Sequence, residues 1–257
     1  MSTSSDSARA ELAPTGVLRV GLNLSNFLLT RQTQGNDGAS GEIDGVAPDL
    51  AAEIARRLNV PLKKTGYPRP GLVADDAPNN VWDIAFLGAE PQRARQIDFT
   101  AAYLEIEATY LVPAGSPIQR IEEVDAAGRR ISISSGSAYD LYLSRELRHA
   151  KLERVDGVDA SYDHFVREKT DALAGLRPRL TTDVEKLPGA RILEGRFTAI
   201  QQAIGLAKRA GQSGAGAAWL REFVEDAKKT GLVAELIAAN NVRGVTVASL
   251  VQSGLRD

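Results

Sequence analysis

The feature that most constrains the fold is a regular alternation of short β-rich segments with amphipathic helical segments. The sequence predicts a strand over residues 17–22, a helix over residues 48–58 and a buried strand over residues 83–88. Alternating units of this kind are typical of a mostly parallel sheet with helices packed against it. The chain is therefore predicted to have an α/β fold.

A second series of alternating elements begins after Pro117. It predicts strands over residues 130–134 and 171–174, with helices over residues 137–149 and 161–169. Two such series, followed by a C-terminal part with predicted helices over residues 215–229 and 232–239, indicate two α/β lobes.

The boundaries of the lobes follow from two further extended stretches. Those near residues 109–113 and 199–206 are interpreted as crossings between the lobes. The first lobe is then discontinuous and is completed by the C-terminal helices. It comprises residues 16–110 and 201–257, and the second lobe comprises residues 111–200.

The N-terminal segment carries no predicted element of the fold. Residues 1–15 are mostly Ser, Ala, Asp and Glu with scattered Leu, and we expect a flexible tail there. The segment lacks the basic start and continuous apolar stretch of a secretory signal. Either a signal was removed or the protein stays inside the cell, and the sequence leaves both open.

The composition excludes several classes of function. With 31 basic and 33 acidic residues, the net charge is -2, and no basic patch indicates a nucleic-acid or membrane partner. There is no cysteine, hence no thiolate metal site and no cysteine nucleophile. His149 and His164 fall on predicted surface helices, where we expect solvated side chains. We expect no metal and no cofactor.

One segment carries a recognisable order of residues. A strand ending in Gly88 leads into a short turn, then Pro-x-Arg at residues 91–93, Asp-Phe-Thr at 98–100 and Tyr103. This order resembles the first-lobe signature of the family 3 solute-binding proteins of amino-acid ABC transporters. Supporting similarities occur, in the expected order, at residues 18–21, 45–51, 131–137 and 202–207. The resemblance extends over about residues 17–239.

The resemblance implies a two-lobed, type II periplasmic-binding-protein-like fold. In this fold each lobe is a mostly parallel sheet flanked by helices, and two crossing strands join the lobes. It also implies a monomer that captures a small carboxylate ligand by hinge closure and presents it to the permease of an ABC transporter. A periplasmic location follows from the resemblance, with a cytoplasmic location as the alternative.

The resemblance assigns Arg93 to the ligand carboxylate, together with Gly88 at the preceding strand end. A guanidinium offers two parallel donors to two carboxylate oxygens, which a lysine cannot do. The alternative is that Arg93 is a solvated helix arginine next to Arg95.

The turn formed by Ser135, Gly136 and Ser137 is the corresponding feature of the second lobe. It lies between a predicted strand and a predicted helix, where free backbone N–H groups and the Ser137 hydroxyl can bind an anion. A plain helix N-cap is the other interpretation, and the two are compatible.

Residues that follow the first strand occupy positions where the family places ligand-lining side chains. Asn23 and Phe27 are therefore candidates for ligand contacts. Phe27 could form an apolar wall or could equally be a core residue.

The sequence also departs from the family pattern. Amino-acid binders usually carry an Asp shortly after the strand matched by residues 171–174, whereas Gly175, Leu176 and Arg177 stand here. A buried ammonium without a partner costs several kcal/mol. Either another acid takes that role or the ligand lacks an α-amine.

Three charged residues are the candidates for this altered recognition. Glu105 and Glu107 share one strand face and could accept an ammonium, although a solvated strand face is an equal alternative. Arg177 could bind a second anionic group of the ligand, or it could be a helix-start arginine facing water.

Two further functions remain open from the sequence. The fold resembles that of cyclohexadienyl dehydratases, in which case Glu105 or Glu107 could act as a general acid. A sensor module without a transporter is the other. No catalytic triad or phosphate-binding loop is present, and we expect a binding protein rather than an enzyme.

Overall fold

The computed structural model describes residues 2–34 and 40–251. The chain divides into two compact units: unit 1 contains Met1–Glu105 and Gln201–Asp257, and unit 2 contains Ile106–Ile200. The passage out of unit 1 therefore lies at Glu105 and precedes the boundary at residue 110 that the sequence predicted.

Two long strands carry the chain between the units. These are β6 (Ile97–Val112) and β11 (Thr198–Ala207). The first is longer than the predicted crossing at residues 109–113, because alternating apolar side chains continue along its whole length.

The other elements of unit 1 come from both ends of the chain. In order they are α1 (Ser2–Leu12), β1 (Leu18–Asn23), β2 (Arg31–Gln34), β3 (Ser40–Asp44), α2 (Val46–Leu58), β4 (Leu62–Tyr67), α3 (Pro70–Asp75), β5 (Ile84–Gly88), α7 (Ala215–Lys229), α8 (Leu232–Ala239) and β12 (Thr246–Val247).

The sheet of unit 1 is mostly parallel. Strand β1 pairs in parallel with both β4 and β5, and β11 pairs antiparallel with β5. Trp82, immediately before β5, is fully buried, and its indole N–H donates to the Val73 carbonyl at 3.0 Å. The parallel arrangement brings the carboxyl ends of β1 and β5 to the same edge.

The expectation of a flexible tail over residues 1–15 is wrong, because α1 packs against α7. Ala8 and Leu12 are fully buried. The Glu11 carboxylate accepts hydrogen bonds from the backbone N–H of Ser213 at 2.6 Å and of Gly216 at 2.8 Å. Burial alone would raise the pKa of Glu11, but these hydrogen bonds outweigh it and hold the pKa below its ordinary value. The segment is thus a docked helix that caps the start of α7.

The remaining elements belong to unit 2. They are β7 (Arg130–Ser134), α4 (Ala138–Glu146), β8 (Lys151–Val155), α5 (Val158–Glu168), β9 (Ala172–Leu176), α6 (Arg177–Val184) and β10 (Arg191–Ile192).

The sheet of unit 2 is also mostly parallel. Strand β7 pairs in parallel with β8 and β9, and β6 pairs antiparallel with β9. The apolar core includes Ile131, Ile133 and Leu143. Strand β8 was missed from the sequence, because most of its residues are charged and it forms the outer edge.

No helix within residues 2–34 and 40–251 is long and apolar enough to cross a bilayer.

Candidate functional site

Arg93 lies in unit 1, in a single 3-10 turn that follows β5. The residue is only 5% exposed, and its Nη1 donates to the Gly88 carbonyl at 2.7 Å. Burial lowers the pKa of Arg93 to about 10, while the carboxylates of Glu90 and Asp75 partly oppose this shift. The alternative of a solvated helix arginine is therefore wrong. Its contact with a ligand stays a prediction.

The candidates on β1 occupy the same sheet edge as Gly88. Asn23 is the last residue of β1, and its Oδ1 accepts hydrogen bonds from the Ser25 backbone N–H at 3.2 Å and the Ser25 hydroxyl at 2.8 Å. Phe27 is 42% exposed, so the interpretation as a core residue is wrong. The apolar-wall interpretation of Phe27 remains a prediction.

The turn at Ser135, Gly136 and Ser137 lies in unit 2, between β7 and α4. Ser137 caps α4, since its Oγ accepts from the Asp140 backbone N–H at 3.1 Å. The Gly136 N–H donates to Asp140 Oδ2 at 2.9 Å, and the Ser135 N–H donates to the Val155 carbonyl at 2.8 Å. The predicted free amides of Ser135 and Gly136 are thus already hydrogen-bonded within the unit. The N-cap interpretation is confirmed.

Asp140 is the residue that sequence reasoning missed in this turn. Its side chain is 5% exposed, and Oδ1 pairs with Arg154 Nε at 2.9 Å. The spacing Ser137-x-x-Asp140 is that of a capping box, in which an acid three residues after the cap reaches back to the turn. That spacing was a usable signal for an internally bound carboxylate.

Glu107 and Arg177, both candidates for altered recognition, are partners of each other in unit 2. Arg177 Nε lies 2.6 Å from Glu107 Oε2, and Arg177 also donates to the Gly195 carbonyl. Arg196 Nη1 approaches the other oxygen, Oε1, at 3.4 Å. Arg177 is the first residue of α6, as the helix-start interpretation expects, but its side chain is paired and does not face water alone. An ammonium contact at Glu107 and an anion contact at Arg177 stay predictions.

Each histidine meets one half of its expectation: His149 is solvated but lies outside the helix, and His164 lies on a helix but is not solvated. His149 follows α4 rather than lying on it, and its backbone N–H donates to Asp125 Oδ1 at 2.8 Å. The His164 side chain is 15% exposed, with Nε2 at 3.8 Å from Glu153 Oε2, because α5 packs against the sheet. Within the described part of the chain no group of three or more His, Cys, Asp or Glu could hold a metal ion.

Several solved structures are similar to this chain over nearly its whole length. A mutant of ArgBP from T. maritima is 22% identical and covers 91% of this chain and 99% of its own, with a TM-score of 0.71. AbpA from Streptococcus pneumoniae, bound to L-arginine, is 20% identical and covers 89% and 96%, with a TM-score of 0.70. The ancestral amino-acid-binding protein AncCDT-1, a precursor of cyclohexadienyl dehydratase, is 18% identical and covers 90% and 98%, with a TM-score of 0.71.

These similarities confirm the type II periplasmic-binding-protein fold that the sequence predicted. No curated protein sequence matches the chain. The family of bacterial extracellular solute-binding proteins, family 3, matches residues 33–240, which include residues of both units. The chain therefore belongs to family 3 of the bacterial extracellular solute-binding proteins.

Proposed function

We propose that this protein captures a small carboxylate-bearing ligand, an amino acid or a related compound, and presents it to the permease of an ABC transporter. Capture takes place by closure of the two units on the ligand, and the protein works as a monomer outside the cytoplasm. The observation that carries the proposal is the family match, which runs through both units. Relatives of the fold with bound L-arginine support the class of ligand.

In unit 1 the ligand carboxylate binds to Arg93. With a pKa lowered only to about 10, the guanidinium remains protonated at neutral pH. Its charge is already desolvated, so a carboxylate placed against it interacts in a medium of low effective dielectric constant. The hydrogen bond to Gly88 fixes the guanidinium in place, and a ligand need not order the side chain first.

In unit 2 the contribution of the turn is different from that of an open anion site. The Asp140 carboxylate holds the Gly136 N–H, and Val155 holds the Ser135 N–H. The half-buried Ser135 hydroxyl has no hydrogen-bond partner among residues 2–34 and 40–251, and it supplies the donor that this turn offers to the ligand.

The protein binds its ligand without chemistry. A general acid must present its carboxyl to the substrate, and of the two candidate acids Glu107 has both oxygens held by arginines. The other candidate, Glu105, is addressed by a direct test of turnover. Because the chain is similar to a precursor of cyclohexadienyl dehydratase, the substrates to test are prephenate and arogenate. After incubation with the protein, prephenate and arogenate are each expected to remain unconverted. Turnover of either compound would refute the proposal that the protein only binds its ligand.

The experiment that tests the function is a thermal-shift screen of amino acids, 2-oxo acids, dicarboxylates and betaines, followed by calorimetry on each compound that binds. A ligand at 100 times its Kd stabilises the native state by about 2.7 kcal/mol, which is a clear shift in Tm. Fractionation of cells is expected to place the protein outside the cytoplasm. Failure of every carboxylate to raise the Tm would overturn the proposal.

A further inference from the structure

The sheet of unit 2 brings four segments to one edge. Strands β7 and β9 are parallel neighbours, so the turn at residues 135–137 and Arg177 both follow carboxyl ends of strands. Ala108 of β6 pairs with Leu176 of β9, which places Glu107 next to Arg177. The Phe197 N–H donates to the Ala108 carbonyl at 3.0 Å and brings Arg196 to the same edge. Ligands of open α/β sheets bind outside the carboxyl ends of the strands.

The charge at the centre of this edge is positive. Two guanidinium groups, those of Arg177 and Arg196, share the single carboxylate of Glu107. The side chains of Arg177 and Arg196 are 31% and 49% exposed, so both groups can be reached from solvent. Within the described residues, no partner is found for Nη1 of Arg177 or for Nη2 of Arg196. The cluster thus retains donors that a second anion can fill.

Several other acids near this edge already have partners. Asp140 pairs with Arg154 and accepts from the Gly136 N–H, and Asp159 pairs with Arg179 at 2.7 Å. Asp156 follows the outermost strand, β8. Glu194 is exposed and forms no ion pair within the part of the chain that the structure describes. Glu105, two residues before Glu107 on the same strand face, is half-buried and also forms no ion pair among the described residues. Glu105 and Glu194 are therefore the acids that a direct test has to eliminate.

We infer that the edge of unit 2 selects an anionic group, and that the ligand is a dicarboxylate without an α-ammonium, such as a 2-oxo dicarboxylate. The inference rests on the proposed function and narrows its ligand class. In unit 2 the guanidinium groups of Arg177 and Arg196 bind one carboxylate of this ligand. An α-ammonium brought to the same edge meets positive charge and loses its hydration without gaining a partner.

Matched pairs of ligands that differ only in the amine test the inference by calorimetry. The pairs are 2-oxoglutarate with glutamate, oxaloacetate with aspartate, and 4-methyl-2-oxopentanoate with leucine. We expect 2-oxoglutarate or oxaloacetate to bind at least about tenfold more tightly than its amino acid, and more tightly than the monocarboxylate.

Variants distinguish a specific effect of Arg177 and Arg196 on ligand affinity from a general effect of net charge. Arg196→Gln is expected to weaken dicarboxylate binding about tenfold. Lys151→Gln removes the same charge at the opposite, amino end of the unit 2 sheet and should change the affinity less than about twofold. Leu176→Asp adds an acid at the end of β9 and should shift the preference toward glutamate. Circular dichroism and Tm establish that each variant is folded.

The outcomes distinguish this inference from the function on which it rests. An amino acid that binds as tightly as its oxo acid would overturn the inference and leave the proposed function intact. The same holds for a Glu105→Gln or Glu194→Gln variant that selectively loses amino-acid binding. Equal losses in Arg196→Gln and Lys151→Gln would also overturn it. If no carboxylate of any kind binds, the proposed function fails as well.

Discussion

The two units hold their proposed anion-binding groups in different ways. In unit 1, Arg93 is buried and donates to the Gly88 carbonyl, so its charge is desolvated. In unit 2, the turn after β7 binds the carboxylate of Asp140, while Arg177 and Arg196 remain partly exposed beside Glu107. Unit 1 thus holds one buried cation, whereas unit 2 holds a turn already closed on its own acid and two partly exposed guanidinium groups. The comparison shows that a sequence motif can identify a charged or donor group without revealing which residues of the protein already pair with that group.

The largest expected effect is that of replacing the buried cation of unit 1. Arg93→Ala should weaken carboxylate binding at least about a hundredfold, or about 3 kcal/mol, because the ligand carboxylate then faces a buried site without a cation. Calorimetry with the ligand found by thermal shift measures this loss. Arg93→Lys keeps the charge but loses the bidentate geometry, so its affinity should lie between those of the unmodified protein and Arg93→Ala.

Arg95→Ala is the matched control for Arg93, since Arg95 is exposed in the same 3-10 turn. It should bind ligand as the unmodified protein does. If Arg93→Ala is folded by Tm and circular dichroism yet retains full affinity, Arg93 is a structural residue that holds the Gly88 carbonyl and nothing more.

Local elements of the fold were predictable wherever periodicity and turn residues agree. The C-terminal helices at 215–229 and 232–239 and the strand at 130–134 lie where the sequence places them. Helix α2 begins at Val46, two residues before the predicted Pro48, because proline fits within the first turn of a helix. These features depend on neighbouring residues alone.

Features that depend on distant partners were not predictable in the same way. Helix α1 is short and polar, and Leu12 is buried where α1 packs against α7. The pairing of Glu107 with Arg177 joins residues 70 positions apart, so each looked like an open candidate in isolation. The burial of Arg93 has the same origin, since a basic residue beside Arg95 reads as solvated until the surrounding chain is in place.

The next largest effect concerns the unit 2 turn. Asp140→Ala should destabilise the protein by about 2 kcal/mol, because the Gly136 N–H and Arg154 lose a charged partner. Chemical denaturation measures it, with Asp163→Ala on the exposed face of α5 as a control that should change stability by less than about 0.5 kcal/mol.

The same variant sharpens the comparison between the units. Removal of the Asp140 charge should raise the affinity for an anionic ligand, because a competing carboxylate leaves the turn. A fall in affinity at unchanged fold would contradict competition and would instead make Asp140 a residue that positions the turn for the ligand.

A smaller effect distinguishes the cost of backbone conformation from the cost of steric contact in the turn at residues 135–137. Gly136 has φ 67°, and no atom lies within 4 Å of an added Cβ. Gly136→Ala should therefore cost about 1 kcal/mol from the left-handed backbone alone. Gly71→Ala in α3 adds the same methyl group to equally open space without a positive φ, and it should be neutral or slightly stabilising. Equal costs in denaturation curves would show that the turn carries no special strain.

The smallest effect tests the other carboxylate that caps a helix, Glu11 at the start of α7 in unit 1. Its pKa is lowered in the folded protein, so its stabilising contribution is present above the ordinary value and is lost as the pH falls through the folded pKa. Glu11→Gln should cost about 0.5 kcal/mol at pH 7, since the neutral amide interacts less with the helix dipole. The difference in Tm between this variant and the unmodified protein should shrink as the pH falls below 4.5, the ordinary value for glutamate. A difference that persists unchanged at lower pH would mean that Glu11 acts through shape and packing, whereas Asp140 in unit 2 acts through charge.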